Sequence, residues 1–116
     1  ALIAPSLIMQ MAVIQGMHMA KKAGVDLEFY SKMISGLPAS LKADQERHTR
    51  AIIDDDFSKV QASIRTWKEA LDRILEESKG SNFNAELLSG IAEVLEHGQA
   101  QGVGEQDLAA LINTMG

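Results

Sequence analysis

The sequence predicts an all-α domain, on three observations. Apolar residues recur at spacings of three and four along most of the chain. Glycines and capping residues cut that pattern into helix-sized lengths. No segment alternates with period two for long enough to require a strand. A chain of 116 residues is expected to form one domain with a modest core.

The first helix is the most unusual. Residues 1–20, ALIAPSLIMQMAVIQGMHMA, carry no charged side chain. At about 1.5 Å per residue they make a helix of roughly 30 Å, the span of a bilayer. Ser6, Gln10, Gln15 and His18 along it, with Pro5 near its start, disfavour a lipid setting. No basic flank or small-residue cleavage site marks a secretion signal. A helix apolar on nearly every side is otherwise buried on nearly every side. One small domain can hardly surround it, so a partner chain or another domain of the same chain is expected to cover it.

The helix should run to Lys22 or Ala23 and stop at Gly24, after two lysines in its last turn. Asp26 is the expected N-cap of a short second helix, LEFYSKMIS, ending at Gly36. Pro38 suits the first turn of a third, from about Pro38 to Ile53, whose Lys42, Asp44, Glu46, Arg47 and Arg50 read as a solvated face. The run Asp54, Asp55, Asp56 reads as a loop or capping region. Consecutive carboxylates diverge, and no calcium-loop pattern follows, so no metal site is expected there.

A fourth helix is expected from roughly Val60 to Ser78, with Ile64, Trp67, Leu71, Ile74 and Leu75 on its apolar stripe and Gly80 as its stop. Trp67 is accordingly expected in the core. Asn84 should cap a fifth helix through Glu96, with Leu87, Leu88, Ile91, Val94 and Leu95 inward and Gly98 as its stop. A glycine-rich link, GQAQGVGE, leads to a last helix, DLAALINTM.

Composition excludes several function classes. Eleven basic against sixteen acidic residues disfavour a nucleic-acid surface. The absence of cysteine excludes a disulfide scaffold and a thiolate site, and fits a reducing cytoplasm. Gly102-Val103-Gly104 lacks the third glycine and preceding strand of a dinucleotide fingerprint, so it reads as a turn. Glu93/His97 and Asp44/His48 stand four apart, one residue off the Glu-x-x-His ligand spacing of bundle metal sites, and read as surface pairs. His18 and Gln15 read as a satisfied polar pair at a helix interface. Met9, Met11, Met17 and Met19 on the same helix read as adaptable packing. No catalytic set and no metal ligands are expected within the chain.

The order of these pieces resembles a known family. A long apolar helix ends in AKKAGVDLEFYSKMI. The acidic turn IDDDF follows, then SIRTWKEALDRILEESKGSNFN, then HGQAQGVGEQDLAALI. Its most specific parts are G-x-G-x-x-D-L-A-A-L at Gly102 to Leu111 and A-G-V-D at Ala23 to Asp26. Over essentially its whole length the chain resembles the C-terminal domain of NADP-dependent imine reductases and reductive aminases, within the 6-phosphogluconate and β-hydroxyacid dehydrogenase superfamily.

The resemblance implies a helical bundle like the C-terminal domain of 6-phosphogluconate dehydrogenase, with a long interdomain helix at its start. Residues 1–116 would be the dimerisation and substrate-pocket domain, with the Rossmann domain lying outside this chain. It also implies a homodimer with exchanged domains and a small-molecule substrate. NADP would be used by the full-length enzyme, with no cofactor bound and no catalysis by this domain alone.

In register with the family, the proton donor (Asp or Tyr in imine reductases, Lys in β-hydroxyacid dehydrogenases) falls about two residues before Ala1. The hydroxyacid enzymes carry Asn four residues after their Lys, where this chain has Ile3. An aliphatic side chain cannot hydrogen-bond a carboxylate or hydroxyl, so the imine-reductase branch is favoured. On the donor's helical face, Ile3, Leu7 and Gln10 follow at three and four residues and are the expected pocket lining, with dimer core as the alternative role. The alternatives are a β-hydroxyacid dehydrogenase domain and a free-standing helical dimerisation module.

Overall fold

The computed structural model describes residues 1–116, which form five α-helices and one terminal 3-10 helix. The predicted all-α class is the observed one.

The first helix, α1 (Ile3–Lys22), ends at Ala23, and Gly24 follows in the left-handed region at φ 75°. The second, α2 (Leu27–Ser35), starts where the Asp26 carboxylate accepts the Phe29 N–H at 3.2 Å. Gly36 separates it from α3 (Leu37–Asp54), which carries Pro38 in its first turn. Asp55 closes α3 in the left-handed region, and the Asp56 carboxylate accepts both the N–H and the hydroxyl of Ser58. The acidic run is therefore a helix end followed by a side-chain-held loop turn.

The remaining elements are α4 (Ile64–Ser81), α5 (Glu86–Ala100) and the 3-10 helix Leu108–Asn113. Several boundaries differ from expectation. Helix α4 begins at Ile64 rather than near Val60, because the Ser63 hydroxyl caps it by accepting the Thr66 N–H at 3.1 Å. Gly80 does not stop it; the left-handed Asn82 does. Helix α5 starts at Glu86, two residues after Asn84, and continues through Gly98. The last helix is 3-10 rather than α, and Thr114 ends it.

The core gathers at this C-terminal half. Phe57, Ile64, Leu71, Ala92, Leu95, Ala109 and Ala110 form one buried cluster. In α5 the buried residues are Ala92, Leu95 and Gly98, whereas Ile91 and Val94 of the predicted stripe are exposed. Small side chains win that face because they let neighbours approach: a Cβ on Gly98 would lie 2.7 Å from the Leu111 side chain. Trp67, predicted as core, is 49% exposed.

The first helix is barely packed. Residues 1–14 are all exposed, and Ala20 is the one buried residue of α1. Its lower half meets α2 at Gly16, where a Cβ would stand 3.0 Å from Ile34 and Tyr30. The accessible surface is 8,198 Å², against about 6,200 Å² for a compact monomer of 12.6 kDa. The radius of gyration is 15.3 Å, against about 13 Å for a compact chain of this length. No helix is long and apolar enough to cross a membrane.

Candidate functional site

The pocket-lining residues expected from sequence all lie on the free part of α1. Ile3, Leu7 and Gln10, with Leu2 and Ser6, border one shallow open depression. Ile3 is 85% exposed. The Gln10 amide reaches only the carbonyl and hydroxyl of Ser6, both at 3.4 Å. Gln10 also edges an apolar groove of about 350 Å³, formed with Met9, Val13, Leu37, Pro38 and Leu41. The groove exists because α2 turns sharply into α3 at Gly36, leaving the head of α3 beside α1.

Below this free part, α1 is fastened by two polar side chains. The Gln15 amide donates to the Asn84 carbonyl at 2.9 Å, and the Asn84 N–H donates to His18 Nε2 at 2.8 Å. The two are satisfied, as expected, but by the backbone carbonyl and amide of one residue, Asn84, rather than by each other.

A second constellation lies where α3 meets the terminal 3-10 helix. Asp107 is 2% exposed. Its carboxylate accepts the Ala109 N–H at 3.1 Å and stands 3.3 Å from His48 Nδ1. The expected Asp44/His48 pair does not form: Asp44 binds Arg47 at 2.6 Å. Arg47 Nε, His48 Nδ1 and Asp107 Oδ1 are buried without a hydrogen-bond partner. His48 and Arg47 also line a cleft of about 480 Å³ with Leu41, Gln61, Trp67 and Leu108. Sequence reading missed this cluster because Asp107 is far along the chain from His48. The signal was the aspartate inside the G-x-G-x-x-D motif. The other expected pair, Glu93/His97, gives way to His97 against Gln101 at 2.6 Å.

The glycine-rich link performs structural work. The carbonyls of Gly104 and Gln106 accept the Arg65 and Ile64 N–H groups at 2.8 and 3.1 Å. With Ser63 serving Thr66, the first three amides of α4 are satisfied. Gly102 turns the chain at φ 89°, and Asp107 caps the 3-10 helix. The loop thus turns carbonyls toward α4 and follows a helix rather than a strand, which does not fit a phosphate cradle. Nearby, the hydrogen bonds that the Arg65 guanidinium donates to Glu105 and then to Glu69 push its pKa up. The Ser58 hydroxyl and amide hold the Asp56 carboxyl below the usual range. No group of three acidic or histidine side chains converges as a metal site.

Comparison with known proteins places this architecture. A protein family described as "NAD-binding of NADP-dependent 3-hydroxyisobutyrate dehydrogenase" matches residues 6–115. An imine reductase from Pseudomonas sp. has the same fold, with a TM-score of 0.92 at 22% identity over 99% of this chain and 40% of its own. The imine reductase from Myxococcus stipitatus in complex with NADP+ gives 0.85 at 16% identity, over 98% of this chain and 44% of its own. A reductive aminase from Aspergillus terreus, in complex with NADPH4, cyclohexanone and allyl amine, gives 0.88 at 15% identity, over 97% and 40%. The chain thus spans about two fifths of the length of these structures. No curated protein sequence matches it significantly.

Proposed function

Because the chain belongs to the family described as "NAD-binding of NADP-dependent 3-hydroxyisobutyrate dehydrogenase", within an oxidoreductase superfamily, we propose that it is the helical half of an NADP(H)-dependent enzyme that reduces C=N or C=O bonds. A Rossmann domain precedes it and holds the dinucleotide. The chain alone binds no cofactor and catalyses nothing, in keeping with a glycine loop whose carbonyls are committed to α4. In the whole enzyme the nicotinamide supplies the hydride and an upstream side chain supplies or positions the proton. This chain's part is to shape the pocket and exclude water. On that reading α1 is the interdomain helix, and Ile3, Leu7 and Gln10 face the substrate.

The observation that carries the proposal is the uncovered α1. About 2,000 Å² of surface exceeds what a compact monomer exposes, whereas a stable dimer needs about 800 Å² from each partner. A second copy, exchanging domains with the first, covers this apolar helix and completes a site between subunits.

Two substrate classes compete. The matched family's description favours a 3-hydroxy acid. Ile3 favours an imine, because an exposed aliphatic side chain offers nothing to a substrate carboxylate. Steady-state assays of the intact enzyme separate them. Oxidation of NADPH with a cyclic imine, and none of 3-hydroxyisobutyrate with NADP+, is the expected result. The reverse pattern overturns the imine assignment. Oxidation of NADPH by residues 1–116 alone overturns the assignment of the cofactor to another domain.

A further inference from the structure

We propose that Gln15 and His18 form a proton-operated latch, closed while the His18 imidazole is neutral and opened by its protonation. A backbone N–H can only donate, so the 2.8 Å contact from Asn84 requires a lone pair on His18 Nε2. The imidazole is then neutral, with its proton on Nδ1. Protonation sets one N–H against another and leaves the Asn84 amide without its acceptor.

The latch has leverage because α1 has little else to hold it. The Gln15 and His18 bonds are the only hydrogen bonds joining α1 to any later helix or to the turn between α4 and α5. Its other attachment is the packing of its C-terminal part, with Gly16 close to Ile34 and Tyr30 of α2 and Ala20 buried. The Asn84 side chain also accepts the Glu86 N–H at 3.0 Å, so the same residue steadies the head of α5. When His18 lets go, the Gln15 amide is left as the one hydrogen bond tying α1 to this turn.

The neighbours leave His18 as the switching group. Lys21 and Lys22 lie three and four residues further along α1. Tyr30 faces α1 from α2, and Glu86 begins α5 just past Asn84. None of these residue types ordinarily changes charge between about pH 5 and pH 8, whereas an imidazole does. The consequence for catalysis rests on α1 being the interdomain helix. The latch itself does not, and its test needs neither cofactor nor substrate.

Nitrogen-15 NMR on the labelled chain tests it. At about pH 8, His18 Nε2 is expected unprotonated, with the Asn84 amide protected from exchange. Lowering the pH to about 5 is expected to cut the Asn84 protection factor at least about tenfold. H18Q offers a non-titrating acceptor, and its Asn84 protection factor should stay level across that range. A protonated Nε2 at about pH 8 overturns the proposal. So does an Asn84 protection factor that falls no more in the natural protein than in H18Q. Should H18Q not fold, the ring-nitrogen shifts of the unaltered protein still decide the tautomer.

Discussion

Ser63 and Asp107 show how single side chains set the starts of helices, and Asp56 how one holds a loop turn. The Ser63 hydroxyl serves the first turn of α4, so Ser63→Ala should cost about 1 kcal/mol of stability in denaturant titration. Asp56 adds a pH dependence. Its folded pKa lies below its unfolded one, so its contribution is complete above the ordinary carboxylate pKa and is lost as pH falls through the folded value. Asp56→Ala should therefore be less stable than the natural protein at neutral pH. That difference should shrink toward zero in acid, as measured by unfolding at both conditions. A cap that bonds three positions on was legible in the sequence at Asp26, whereas the cap position of α5 fell on Ala85 rather than Asn84. The His48–Asp107 contact was not legible, because it joins positions that only the tertiary fold brings together. Trp67 was misjudged for a related reason: the stripe on α4 is wider than what its neighbours cover.

Among the elements, α5 separates the two roles of glycine in a helix. Gly90 faces open space, so Gly90→Ala should stabilise the protein by up to about 1 kcal/mol through helix propensity. Gly98 is buried with the Leu111 side chain at 2.7 Å from an added Cβ, so Gly98→Val should destabilise by about 1–3 kcal/mol. Thermal unfolding of the two variants checks the opposite signs. Residue type named Gly80 and Gly98 as stops, yet both helices run through them. Glycine ends a helix when the backbone turns left-handed, as at Gly24. Whether it does so depends on what packs beyond it. Helix count and order were readable because apolar spacing and caps agree along each segment. The inward face of α5 was not, since Ala92 and Gly98 carry little hydrophobic signal and are chosen by close approach.

For the whole molecule, the uncharged stretch 1–20 was legible as needing cover, and the structure leaves residues 1–14 exposed. One chain's periodicity marks the apolar stretch and carries no information about what would cover it. On the proposed account, Ile8→Glu or Val13→Glu places a charge in the subunit interface. Light scattering after size exclusion should show loss of the dimer or aggregation, and an unchanged dimer would count against burial of these positions. The central claim is that these residues are the helical half of an NADP-dependent reductase. The most direct measurement is to sequence the reading frame upstream of Ala1. The account predicts a strand, a G-x-G-x-x-G turn and a helix, with an Asp or Tyr about two codons before Ala1. A Lys there would contradict the imine-reductase assignment, and a start codon directly before Ala1 would contradict the enzyme itself.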